Sequence, residues 1–178
     1  MKPAGGGDAP EVTQAPPAAV PAATAATLDA ACQMLDRVVA FHLGGQRYAF
    51  PIECVREIQQ IVAFSEVPRG GTGIVGMVNL RGLVVPAVDI RKLVGLEPRE
   101  FTLETPMIIA DVSGEKMALI VDDVQDVFSL PPDCLQEAPA LHQLSGLMLG
   151  VARLDDGLVY ILDIERLVAA VASESDAS

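Results

Sequence analysis

The tetrad Asn79-Leu80-Arg81-Gly82 is a polar break in the otherwise apolar stretch of residues 76–91. Asn and Gly tolerate the left-handed backbone angles that hairpin turns demand, so the tetrad predicts a tight turn between two short strands, with Leu80 and Arg81 at its tip. A guanidinium held on a rigid tip is a recognition group, because it offers a planar fork of donors to a carboxylate or to carbonyls. The competing reading is a turn carrying a merely solvated Arg. The rest of the chain decides between the two.

Little else in the sequence has the residue types and spacing of reaction chemistry. His42 lies in an apolar strand and His142 in a Leu-rich stretch, and neither has a Ser, Cys or carboxylate at a motif spacing. Ser129 and Ser145 lack the context of a nucleophile elbow. Asp122-Asp123 suggests paired carboxylates, but neighbours on a strand point to opposite faces. Asp155-Asp156 reads as turn chemistry, and Gly70-Gly71-Thr72-Gly73 has no following Lys-Ser/Thr, so it reads as a connector rather than a phosphate loop. Cys32, Cys54 and Cys134 are odd in number and far apart, with no CxxC pair or Cys/His cluster. They predict three reduced thiols, two of them buried, and neither a zinc site nor a disulfide framework. The expectation is a chain that is not an enzyme, with no cofactor and no metal.

The elements that must position Arg81 are short strands. Residues 38–43, the Gly44-Gly45 break and residues 47–50 read as a hairpin. Residues 76–88 form a second, residues 107–121 around Ser113-Gly114 a third, and residues 147–162 around Asp155-Asp156-Gly157 a fourth, with residues 124–130 as a further strand. Strands at this spacing predict an all-β barrel or sandwich. Helix is expected only in short pieces, residues 89–94 and 163–171, each opened by an Asp that can cap its first turn. Residues 55–62 (VREIQQIV) are ambiguous: their apolar spacing suits a helix and their β-branched content suits a strand.

At the ends, residues 1–35 are Ala/Pro-rich and predict a disordered extension, with a short helix over 27–36 as an option, and 173–178 read as a polar tail. Residues 36–172 are left as one domain. Apolar residues make up 51% of the chain, but the uninterrupted runs at 83–88 and 107–110 are far shorter than a membrane span, which takes about 20 residues. With no charged leader before an apolar run, the expectation is a soluble cytoplasmic protein. A net charge of −12, from 24 acidic and 12 basic residues, argues against a nucleic-acid partner.

Four motifs in order over 38–168 resemble the CheW-like family of chemotaxis coupling proteins: VAFHLGGQRYAFPI at 39–52, VREI at 55–58, the whole of 76–91, and ALIVDDVQDV at 118–127 with YILDI at 160–164 closing the domain. The resemblance implies two small SH3-like five-stranded β-barrels packed together, with residues 55–58 extended at least in part. It implies a non-catalytic adaptor, at receptor arrays on the inner membrane, that joins the cytoplasmic tip of a methyl-accepting chemoreceptor to the regulatory domain of a CheA-type histidine kinase. Residue by residue, it places Val55, Glu57, Leu80 and Arg81 at the receptor, with Glu57 pairing either a receptor cation or Arg81 itself. It places Val121, Asp122, Asp123 and Val124 at the kinase, where ordinary core valines are the alternative. Readings left open are an adaptor of a twitching or surface-sensing pathway, an adaptor that competes with the main coupling protein, and a small-ligand sensor using a pocket between the barrels. The apolar loop residues 131–134 and 138–149 are either a further partner surface or the closure of the second barrel.

Overall fold

Several strands of this chain are apolar at consecutive positions, and the fold buries both of their faces. A computed structural model describes residues 35–62, 64–66, 73–140 and 144–175. The chain runs β1 (Arg37–Leu43), β2 (Gln46–Pro51), a 3-10 turn (Ile52–Cys54), β3 (Val55–Gln60), β4 (Phe64–Glu66), β5 (Ile74–Leu80), β6 (Leu83–Asp89) and α1 (Ile90–Leu93). It continues through β7 (Pro106–Val112), β8 (Glu115–Ile120), β9 (Asp123–Ser129), β10 (Leu135–Gln136), a second 3-10 turn (Ser145–Leu147), β11 (Met148–Leu154), β12 (Gly157–Leu162) and α2 (Ile164–Ser175). One sheet has the order β10-β11-β12-β2-β1-β9 and the other β3-β7-β8-β6-β5-β4. These are the two SH3-like barrels. Each holds a sixth strand beyond the five expected, because the short β10 and β4 extend one edge.

Three apolar cores follow from the two-residue period of the strands. In β8, Ala118 and Ile120 fill the interior of the second barrel, while Met117, Leu119 and then Val121 enter a core shared between the barrels. β7 divides in the same way, with Met107 and Ile109 inward and Ile108, Ala110 and Val112 shared. From the first barrel, Phe41, Leu43, Tyr48 and Phe50 meet them, the Phe41 and Phe50 rings 4.7 Å apart, while Val38 and Ala49 fill that barrel's own interior. α2 adds Ile164, Leu167 and Val171 to the shared core.

All four expected hairpins form. Residues 55–60 are extended as β3, antiparallel to β7, which resolves the helix–strand ambiguity. Asp89 caps α1 by accepting from the Arg91 N–H at 3.0 Å, and Asp163 Oδ1 accepts from the Arg166 N–H at 3.2 Å in the first turn of α2. Among the described residues Cys134 and Cys54 form no disulfide; Cys134 is buried, and Cys54 is half-buried rather than fully buried. Cys32, His142, the glycines at 70–71 and nearly all of the extension lie outside the described residues; Leu35 and Asp36, at the end of the 27–36 option, carry no helix.

Candidate recognition site

The β5–β6 hairpin closes on two residues, with Leu80 paired to Leu83 and Arg81-Gly82 between them. The tip is therefore Arg81-Gly82, one residue further along than the sequence suggested. Arg81 has φ 53° and Gly82 φ 92°, the two consecutive left-handed positions of a type I′ turn. Asn79 does not supply a left-handed angle. It stays in β5 opposite Val84, and its Oδ1 accepts from the Gly82 N–H at 2.8 Å, which fixes the turn from beneath.

Held this way, the Arg81 side chain is 86% exposed, and its Nη2 donates to Glu57 Oε2 at 3.3 Å. Glu57 sits on β3, and β7 and β8 lie between β3 and β6 in the sheet order. The pair can meet only because the sheet curls over on itself. At this exposure the ion pair adds no more than about 1 kcal/mol of stability; its effect is to orient the guanidinium. Beside it lies an open groove of about 350 Å³ lined by Arg56, Glu57, Leu80, Arg81, Leu83, Ile109 and Lys116. Arg56 is itself anchored, with Nε 3.3 Å from Asp111 Oδ2.

Of the four residues expected at a receptor, Glu57, Leu80 and Arg81 come together at this groove. Val55 does not; it packs against the shared core. The sequence reading missed Arg56, Leu83 and Lys116. The signal for Leu83 was available, since a two-residue turn makes its flanking residues neighbours across the hairpin. Lys116 had none, because it reaches the groove through the curl of the sheet.

The four residues expected at a kinase separate. Val121 is 1% exposed, in the shared core, which removes it from direct contact, and Val124 is half-buried against that core. Asp122 is turned inward: its Oδ2 accepts from Gly44 N at 2.8 Å and from Arg91 Nη1 at 2.5 Å. Asp123 alone of the four faces solvent, at the start of β9. Two residues before Arg91, Asp89 is only 1% exposed. Burial pushes its pKa up, opposed by the hydrogen bond from Arg91 N–H and by the Lys92 and Arg91 charges.

An exposed guanidinium fixed on a constrained turn, beside a groove of apolar and charged side chains, is a geometry suited to recognising another protein, and the pair of SH3-like barrels holds it. The family model for the CheW-like domain matches residues 37–172. The probable chemotaxis protein CheW of Rhizobium etli is 26% identical over 140 residues, covering 78% of this chain and 90% of that protein. The chemotaxis protein CheW of Bacillus subtilis is 32% identical over 104 residues, covering 58% of this chain and 67% of that protein. The crystal structure of the scaffolding protein TtCheW from Thermoanaerobacter tengcongensis superposes with a TM-score of 0.67 at 28% identity, covering 74% of this chain and 86% of that one. The chain belongs to the CheW-like family of chemotaxis proteins.

Proposed function

We propose that this protein couples chemoreceptors to a CheA-type histidine kinase through two surfaces, one on each barrel. The single observation that carries the receptor half is the Arg81–Glu57 pair poised over the groove floored by Leu80, Leu83 and Ile109. The cytoplasmic tip of a methyl-accepting receptor is a helical hairpin, and a helix binds such a groove by apolar contacts with a few polar fixers. On docking, Arg81 exchanges its weak bond to Glu57 for a carboxylate or carbonyls of the receptor, and Glu57 becomes free to pair with a receptor cation. The kinase's regulatory domain docks on the first barrel around Asp123 and the outer edge of β9, which among the described residues pairs on one side only, with β1. In this role Val121 and Val124 support the surface from within, and Asp122, turned inward to Gly44 and Arg91, is not part of it. Both partners lie on the cytoplasmic side, at receptor arrays on the inner membrane. Among the described residues no helix is long and apolar enough to cross a membrane.

The test is affinity for a receptor cytoplasmic fragment. Arg81→Glu is expected to weaken binding at least tenfold, about 1.4 kcal/mol, with the melting temperature held within ~2 °C. Undiminished binding by a folded Arg81→Glu variant overturns the receptor assignment. Asp123→Arg is expected to weaken binding of the kinase regulatory domain and leave receptor affinity intact.

A further inference from the structure

Between the barrels, the packing is apolar at Phe41, Leu43, Ile108, Leu119 and their neighbours, but it meets a polar junction where the chain leaves β8 for β9. Three hydrogen bonds converge there on Asp122. Its backbone N–H donates to His42 O at 3.1 Å, and its Oδ2 accepts from Gly44 N at 2.8 Å and from Arg91 Nη1 at 2.5 Å. His42 and Gly44 belong to the β1–β2 hairpin of the first barrel, whereas Arg91 is in α1, which follows β6 of the second. Arg91 is held in turn, its Nε donating to Glu97 O at 2.9 Å. The Arg91 and Asp122 side chains are only 15% and 13% exposed, so solvent screens them little. The hairpin turn is also seated sterically: a Cβ on Gly44, at φ +56°, would stand 2.9 Å from Leu96 Cδ1.

Apolar packing is strong but non-directional, so the shared core holds the barrels together with less control over their angle than directed bonds can add. Charge-assisted bonds have direction, and setting register is the best-attested use of an ion pair in an apolar interface. We infer that Asp122, acting through Arg91 and the Gly44 turn, is a positioning residue that sets the angle between the barrels, and with it the geometry in which the receptor and kinase surfaces are presented together. The functional half of this inference rests on the adaptor reading. The geometric half does not.

Residual dipolar couplings on the full chain test the two halves separately, with wild type, Asp122→Asn and Arg91→Lys compared. Asp122→Asn keeps an acceptor for Gly44 but loses the charge, and Arg91→Lys keeps the charge but loses the fork, so one serves if the other fails to fold. Wild-type couplings from both barrels are expected to fit one alignment tensor. In the variants each barrel is expected to fit its own tensor as well as before, while the joint fit fails. With the receptor fragment and kinase, binary affinities are expected to stay within about twofold while kinase stimulation falls at least about fivefold, a split that simple destabilisation does not produce. One tensor in both variants overturns the geometric half, and unchanged stimulation with diverged tensors overturns the functional half. Wild-type protein that binds neither partner overturns the adaptor reading instead, and the tensors still decide the role of Asp122.

Discussion

Arg81 adopts φ 53° although it has a Cβ. The left-handed region costs an L-residue about 1–2 kcal/mol, and a glycine there would lose roughly 0.5–1 kcal/mol of that saving to its extra unfolded freedom. Arg81→Gly and Arg81→Ala both lose the Glu57 pair, so the glycine variant should be the more stable of the two by about 0.5–1 kcal/mol, read as a higher urea midpoint than the alanine variant's, while receptor binding is lost in both. A lower midpoint for the glycine variant would show that the turn is not strained. Asp89 gives a second expectation at this scale. Its pKa is raised by burial, so its contribution to stability is fully present below its unfolded pKa and is lost as pH rises through the folded value. Asparagine caps a helix about as well and never ionises. Melting curves from about pH 4 to 8 should thus show Asp89→Asn gaining on wild type as pH increases, and a gap independent of pH would refute the assignment. The sequence made Arg81 legible because almost nothing else could do recognition chemistry. It did not show that Arg81 rather than Asn79 takes the left-handed angle: both Asn79 and Gly82 satisfy turn preferences, and the pairing of Leu80 with Leu83 sets the phase.

Among the elements, three hairpin turns share one solution, with consecutive left-handed residues at Gly44-Gly45, Arg81-Gly82 and Ser113-Gly114. The fourth differs, since its turn residues are Asp155-Asp156 and Gly157 already pairs with Leu154. These breaks were readable because turn chemistry is local. β3 was not, and its burial explains why. Val55, Glu57 and Gln59 are half-buried, whereas Ile58 is 43% exposed on an edge strand. Apolar and polar residues sit on the unexpected faces, so periodicity pointed towards a helix. β10 depends on a single glycine: a Cβ on Gly150, at an irregular step of the β11–β12 register, would lie 2.7 Å from Gln136 O. Gly150→Ala should cost about 1–3 kcal/mol and remove hydrogen-exchange protection from β10 first. Uniform loss across the first barrel would argue against that local cause.

At the scale of the molecule, the alternation in β7 and β8 makes the barrels one cooperative unit, because each strand faces two cores. Leu119→Ala, fully buried in the shared core, should cost about 2–5 kcal/mol and preserve a single unfolding transition seen alike by probes in either barrel. Two separated transitions would refute the shared-core account. The all-β class was visible in strand spacing, and the paired barrels followed from family resemblance. What no local pattern revealed was the closure of the first barrel, in which β12 runs parallel to β2 with Tyr160 beside Tyr48. Residues so distant in sequence leave no mark on each other's surroundings.

That parallel pairing also imposes a timetable on synthesis. The second barrel is encoded continuously from β3 to β8, so its strands have all been made by Ile120, whereas β2 waits for β12, which ends at Leu162. At ribosomal rates of about 5–20 residues per second the interval is roughly 2–8 s. During it, the barrel bearing Arg81 can gather its own interior, but the aromatic side chains of β1 and β2 have only half their enclosure. Until β12 arrives, the nascent chain exposes the aromatic faces of β1 and β2 together with the shared-core faces of β7 and β8, so the two barrels finish together although one is made first.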